Sequence, residues 1–315
     1  MPSKKTADFA MKYILSISIP TYNRGSILKK TLALLVREEG FDNIQLVISD
    51  NHSPDKTAEI VKEFQEKYSN IKYHRNDRNI GLEENIKKVI ELSDGEYIKV
   101  FNDYTYFEKG KLSTLIQYVQ QNITEKPNLF FLNSSSNNDF SVCNSLNSFV
   151  DVVSIWSTWI SCFGIWKQDY ENIKDKESHI GLMFFHTSIL FEMILKKKTI
   201  LYKEKLMASF HIENKGGYHL SVFIEGYFSV LIKKYYERNH ITKNTYKKEK
   251  KEVLKFLYPY IVGATIKKEN NFEKNDLNKI LFSYYKKEAY FYFYTVKYII
   301  NLVYVKLIAN NHHDL

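Results

Sequence analysis

The chain of 315 residues is 44% hydrophobic and 26% charged, enough apolar material for a folded core of one to three domains. Its two cysteines, Cys143 and Cys162, exclude a disulfide framework and point to a reducing compartment. The +9 charge is uneven: Lys and Arg against Asp and Glu stand at 25 and 25 over residues 1–200, then at 20 and 11 over 201–315.

The N-terminal "MPSKKTADFAMKYILSISIP" starts basic, but its apolar stretch enters a polar turn without a small-residue cleavage site. "YILSISIP" therefore reads as a first strand, not a secretion signal. In 25–38, Ile27, Leu28, Thr31, Leu32 and Leu35 recur at helical spacing. "NIQLVISD" predicts a second strand, and "SPDKTAEIVKEFQEKY" a second helix opened by a Ser cap and a Pro in its first turn. "NIKYHR" reads as strand three, "LEENIKKVIELS" as helix three, "EYIKVFN" as strand four, 109–122 as a helix and "NLFFLN" as a further strand. Such alternation predicts a largely parallel sheet with helices on both faces. Ligands on such sheets bind beyond the carboxyl ends of the strands.

After Ser134 the pattern turns irregular. "NSSSNNDFSVCNSLNS" is a polar loop signal, "VSIWSTWISCFGIW" is aromatic and apolar, and 183–197 reads as helix. From Tyr218 the chain is helix-compatible and rich in Lys, Tyr and Phe. No stretch reaches the roughly 20 uninterrupted apolar residues of a spanning helix. No zinc spacing, helix-turn-helix or RNP-like strand accompanies the basic excess, so nucleic acid is not an expected partner. Anionic lipid head groups or a diphosphate remain.

The informative motifs each follow a predicted strand. "PTYNRGSILKKTL" lacks the G-x-G-x-x-G of a dinucleotide fold and the Gly-rich basic loop of nucleotidyl transfer. "VISDNHSPDKT" carries Asp50, able to accept the imide hydrogen of a pyrimidine or simply to set the turn. "RNIGLEEN" carries Asn79 and Gly81, for which a strand-to-helix turn is reason enough. "GEYIKVFNDYTYFEKGKL" ends its strand on Asn102 and Asp103.

In this order and spacing, over about residues 12–135, these stretches resemble the family 2 glycosyltransferases with the GT-A fold. The branch acting on O-antigen, capsule or wall teichoic acid is the most similar. The resemblance implies a GT-A nucleotide-sugar-binding domain with a mostly parallel central sheet, at 12–205. Its donor half would be 12–135 and its acceptor half 136–205, followed by a basic, aromatic-rich helical region at 206–315. It implies an inverting transfer from a nucleotide sugar, a UDP-sugar foremost, to a surface glycan or lipid-linked acceptor at the cytoplasmic face of the membrane. Pro20, Thr21, Tyr22, Asn23, Arg24, Asp50, Asn79, Gly81, Asn102 and Asp103 are then donor-binding.

The family commonly binds Mn²⁺ or Mg²⁺ through a D-x-D pair. Here Asp103 falls on the first acid, and Tyr104 and Thr105 take the next two positions. One carboxylate makes a weaker site for a hard cation, so the metal is in question. His211 or Lys215, in the glycine-rich "HIENKGGYH", would then meet the diphosphate. The family's base, an acid at a helix start, aligns best with His186, an imidazole that can also be an ordinary half-buried side chain. Glu177 and His179 compete with it, and Asp169 is more distant. The tail at 280–309, interrupted by lysines, is expected either to lie in a membrane interface or to form a homodimer core. The incomplete acid motif keeps a second reading open: an inactive GT-A relative that binds nucleotide or glycan, or serves as an assembly module.

Overall fold

A computed structural model describes residues 13–134, 139–181, 183–212, 220–262 and 276–311. The chain divides into two compact units: Met1–Leu146 with Trp156–His211, and Asn147–Ile155 with Ile212–Leu315.

The first unit is built on β1 (Leu15–Thr21), α1 (Gly25–Leu35), β2 (Gln45–Asp50), α2 (Thr57–Gln65), β3 (Ile71–Arg75), α3 (Leu82–Glu91) and β4 (Tyr97–Val100). β5 (Thr105–Phe107), α4 (Lys111–Gln121), β6 (Asn128–Phe131), β7 (Asp139–Cys143), β8 (Gly164–Trp166), α6 (Lys167–Glu171), α7 (Phe185–Ile194), β9 (Thr199–Lys203) and β10 (Met207–Ser209) follow; α5 (Leu146–Val153) falls almost wholly in the second unit. The central sheet has the order β3-β2-β1-β4-β8, parallel except for the β4–β8 pair. All residues of β1, β2 and β4 are buried, as strands covered on both faces require.

Chain order sets the site. β2 and β3 lie to one side of β1 and β4 to the other, so the topological switch falls between β1 and β4. The β1–β2 ladder continues to Thr21↔Asp50, whereas the β1–β4 ladder ends at Ser18↔Val100. β1 thus outruns β4 and opens a crevice there. Pro20 stands in that overhang, where the missing N–H of a proline removes no ladder bond.

Two local expectations are corrected. The "NLFFLN" strand, β6, joins not the central sheet but a second one of order β6-β9-β7; β8 takes the central edge. Ser53 does not cap α2, which begins at Thr57 after an Asp55 that accepts from the Thr57 N–H and hydroxyl. The sequence-based boundary at 205/206 falls before β10, which pairs antiparallel with β5 and so belongs to the first unit.

The second unit is helical. α8 (Leu220–Val222) continues as a π-helical stretch, Phe223–Ile232, into α9 (Lys233–Glu237). α10 (Lys243–Val262), α11 (Leu277–Tyr285) and α12 (Ala289–Asn311) complete it. Tyr227, Phe228, Leu231, Leu254, Leu257 and Tyr285 are buried in its core, where the Tyr227 hydroxyl donates to Glu249 at 2.9 Å. α12 leaves Tyr292, Phe293, Val296, Ile299, Ile300 and Val303 exposed. No described helix is long and apolar enough to cross a membrane.

Candidate active site

The β1–β4 crevice is closed by one carboxylate. Asp103, 3% exposed, accepts from the Thr21 hydroxyl at 2.8 Å on Oδ2 and from Arg24 Nη1 at 3.2 Å on Oδ1. Its backbone carbonyl accepts from Thr31 of α1 at 2.8 Å. Burial pushes its pKa up, and the Arg24 charge and the Thr21 and Arg24 hydrogen bonds oppose that. Arg24, with 27% of its side chain exposed, lies with its guanidinium carbon 5.7 Å from the Tyr104 ring centroid. Next to Asp103, Asn102 donates through Nδ2 to the Ser161 hydroxyl at 3.1 Å.

The adjoining turns are fixed by side chains reaching across strands. Asn23 has φ +53°, a left-handed conformation that asparagine tolerates better than most residues. Its N–H donates to Ser53 Oγ at 2.8 Å, which ties the turn after β1 to the turn after β2. Tyr22 is exposed beside it. Asp50, at the end of β2, is 0% exposed and accepts from the Ser53 N–H and the Tyr73 hydroxyl, with Arg75 Nε at 3.6 Å. Burial, then the Asp50 contact, pushes the Tyr73 phenol up. Asn79 and Gly81 form a turn organised by Asn51, which donates to both and accepts from the Ile80 N–H. Gly81 holds φ +89°, a region side chains rarely adopt.

A diphosphate often rests on the N-terminus of the first helix in such sheets. Here Asp55 is already there, accepting from the Gly25 N–H at 2.8 Å. Burial pushes this carboxyl up, but hydrogen bonds from Thr57 and Gly25 outweigh it and hold it low. The α1 terminus is thereby screened from anions.

His211 follows directly on β10, whose Ser209 pairs with Thr105, and is exposed. Lys215 lies outside the described residues. His186, at the start of α7, is 4% exposed; its Nε2 lies 2.8 Å from the Thr158 carbonyl and must therefore donate. Nδ1 is then the unprotonated nitrogen, buried without a hydrogen-bond partner. Burial pulls His186 down to about 4. Glu177 is 67% exposed and paired with Lys87; His179 Nδ1 meets Ser188 Oγ at 2.6 Å, and Asp169 pairs with Lys197. None of these four is joined to the Asp103 cluster by a direct hydrogen bond among those described.

Three side chains escaped the sequence reading. Glu83, in the first turn of α3, accepts from the Gly181 and Phe185 N–H groups at 2.7 and 2.9 Å and so caps α7 from another element. Lys99 is fully buried in β4, donating to the Ser161 and Phe163 carbonyls; burial lowers it to about 7, against the opposing influence of Cys162. Ser161 meets Asn102 and Thr105, and Thr158 meets His186, so the loop around 157–163 links the Asp103 turn with the start of α7. "KVF" within an apolar strand was the available signal for Lys99.

Whether these residues fit a divalent cation follows from the donors. Both Asp103 oxygens are engaged by Thr21 and Arg24, and no group of three or more His, Cys, Asp or Glu is poised for a metal among the described residues. These side chains alone do not make a complete Mg²⁺ or Mn²⁺ site; a cation at Asp103 would draw its remaining oxygens from substrate phosphates or water.

Comparison with known proteins gives the context. The chain is 30% identical over 104 residues to the GalNAc(5)-diNAcBac-PP-undecaprenol beta-1,3-glucosyltransferase of Campylobacter jejuni, covering 33% of each. It spans about a third of the length of the curated relatives it matches first. Staphylococcus aureus TarS 1–349, solved with UDP-GlcNAc, superposes at a TM-score of 0.54 with 13% identity, over 86% of this chain and 80% of that one. The mannosyltransferase PcManGT of Pyrobaculum calidifontis, solved with GDP-Man and Mn²⁺, gives 0.53 and 13%, over 79% and 71%. Such likeness shows the shared GT-A fold. The profile described as glycosyl transferase family 2 matches residues 16–187, more than half of the chain. The chain belongs to glycosyl transferase family 2.

Proposed function

We propose that this glycosyltransferase moves a sugar, with inversion, from a nucleotide-sugar donor to a surface glycan or lipid-linked acceptor. The observation that carries the reading is the cluster of Thr21, Arg24 and Asp103 at the β1–β4 switch, flanked by the Asn23–Ser53 and Asp50 turns. A base and ribose would lie over the turns after β1 and β2, against Tyr22 and the Asp50 region, with the diphosphate toward Arg24. The acceptor hydroxyl attacks the anomeric carbon from the face opposite the diphosphate. The new C–O bond forms as the bond to the phosphate oxygen breaks, and the nucleoside diphosphate leaves with the electron pair.

His186 takes the proton in this reading. Its Nδ1 lone pair has no hydrogen-bond partner, whereas Glu177 is held by Lys87. Exposed Trp156 and Trp159, with ring centroids 4.6 Å apart, offer apolar faces to the C–H groups of an acceptor sugar. A lipid-linked acceptor also suits α12, whose exposed apolar residues recur at helical spacing with Lys286, Lys287 and Lys297 exposed nearby.

The test is turnover of a panel of UDP-, GDP-, CDP- and dTDP-sugars, followed by NMR of the product's anomeric proton. Inverted configuration relative to the donor supports the proposal; retention, or no turnover with any donor, contradicts it. Flotation with vesicles containing about one-third anionic lipid tests the membrane contact, and retention on α12 is expected to fall with salt.

A further inference from the structure

We infer that the Arg24 guanidinium is the cation that bridges Asp103 and the donor diphosphate, and that donor binding therefore needs no divalent metal. The inference rests on the nucleotide-donor reading above and specifies its charge chemistry.

Three observations converge on Arg24. Its Nη1 already holds Asp103 Oδ1 at 3.2 Å, at the mouth of the β1–β4 crevice, the position of a bridging cation. The other Asp103 oxygen accepts from Thr21, so a metal here would have to share both carboxylate oxygens with protein donors. The second common source of positive potential, the N-terminus of α1, is covered by the Asp55 carboxylate. A diphosphate placed at the switch point thus meets Arg24 as the nearest described cation of the Asp103 cluster.

The chemistry suits the exchange. A guanidinium offers five N–H donors in a planar fork, so one edge can stay on a carboxylate while another takes a phosphate oxygen. Its charge-assisted hydrogen bonds gain strength where Asp103 is dehydrated. Asp103 is then a positioning residue: it aims Arg24, while Thr21 and Thr31 hold Asp103 itself. Tyr104, the residue after Asp103, borders the guanidinium.

Calorimetry with uridine, guanosine, cytidine and thymidine and their diphosphates tests this, in Mn²⁺ and in EDTA. Wild type, Arg24→Ala, Arg24→Lys and Asp103→Asn are compared, and circular dichroism checks folding. The expected result is diphosphate affinity in EDTA within about twofold of that in Mn²⁺. Arg24→Ala should lose about thirtyfold on the diphosphate and less than twofold on the nucleoside, with Arg24→Lys in between. Because the wild-type EDTA comparison needs no variant, the inference stays testable even if Arg24→Ala does not fold. Tightening of tenfold or more by Mn²⁺, retained in Arg24→Lys and Arg24→Ala, overturns it. Nucleoside binding with no gain from the diphosphate also overturns it but leaves the nucleotide-donor reading standing. Failure of every nucleoside and diphosphate to bind removes that reading too.

Discussion

The two halves of the first unit, the proposed donor half and the proposed acceptor half, solve the same problem differently. In the donor half, turns at strand ends are locked by side chains from neighbouring turns: Asn23 to Ser53, Ser53 to Asp50, Asn51 to Asn79 and Gly81. In the acceptor half, short strands and a loop around 157–163 depend on contacts reaching far along the chain, and a buried imidazole nitrogen goes without a hydrogen bond. The first arrangement suits a rigid seat for an invariant part of the substrate. The second suits a site that varies with its acceptor, because a buried polar atom lacking a partner costs stability and so calls for another reason to be kept.

Asp103→Ala should separate the halves most sharply. It removes the Arg24 ion pair and opens the crevice, and kcat/KM should fall at least about 100-fold, roughly 3 kcal/mol, a size typical of lost charge stabilisation. Asp169→Asn, at an ion pair with Lys197, should stay within about twofold.

His186→Asn comes next, with a fall of about 100-fold in kcat/KM if it removes the base. The pH profile makes the role visible. Burial holds His186 near 4 in the folded chain against 6.5 unfolded, so the folded state binds fewer protons between those values. Stability from this group is complete above about pH 6.5 and is lost as pH falls toward 4, by up to about 3 kcal/mol. Denaturant titrations from pH 7 to 4.5 should show that loss in wild type and not in His186→Asn. The acid limb of kcat/KM, in turn, should lie near 4 instead of near 6.5 and should vanish in the variant. A purely structural His186 would change stability and leave the limb in place.

Ser53→Ala removes the link between the first two turns and should cost about 1 kcal/mol, with donor affinity reduced several-fold. Trp159→Ala is the mildest: acceptor KM should rise several-fold while nucleotide binding is unchanged. Equal effects of both on donor and acceptor would erase the distinction between the halves.

The donor half was also the more legible. β1, β2 and β4 are apolar runs that end on polar turns, a pattern set by burial on both faces, and the motifs that follow them lie where a parallel sheet gathers its loops. Ser53 was misread because Ser-Pro before a helix is a local capping signal, while its actual partner, Asn23, is 30 residues away. β8, β9 and β10 were missed because strands of three to five residues carry little periodicity, and pairings such as β5 with β10 close a loop of about a hundred residues. Glu83 reads as a helix-surface acid until α7 is placed beside it, and Lys99 contradicts the rule that lysine stays wet until two carbonyls are brought to it. Enclosure of Asp50 likewise depends on Tyr73 from β3, which local pattern does not disclose.

The central claim is that the strand-end turns on either side of the β1–β4 crevice seat a nucleotide. Hydrogen–deuterium exchange with and without saturating nucleoside diphosphate, taken from the binding panel, tests it directly. The account predicts slowed exchange at residues 22–25, 51–53 and 102–105, with α10 and α11 unchanged. Protection confined to the helices of the second unit, with those three turns unaffected, would contradict it.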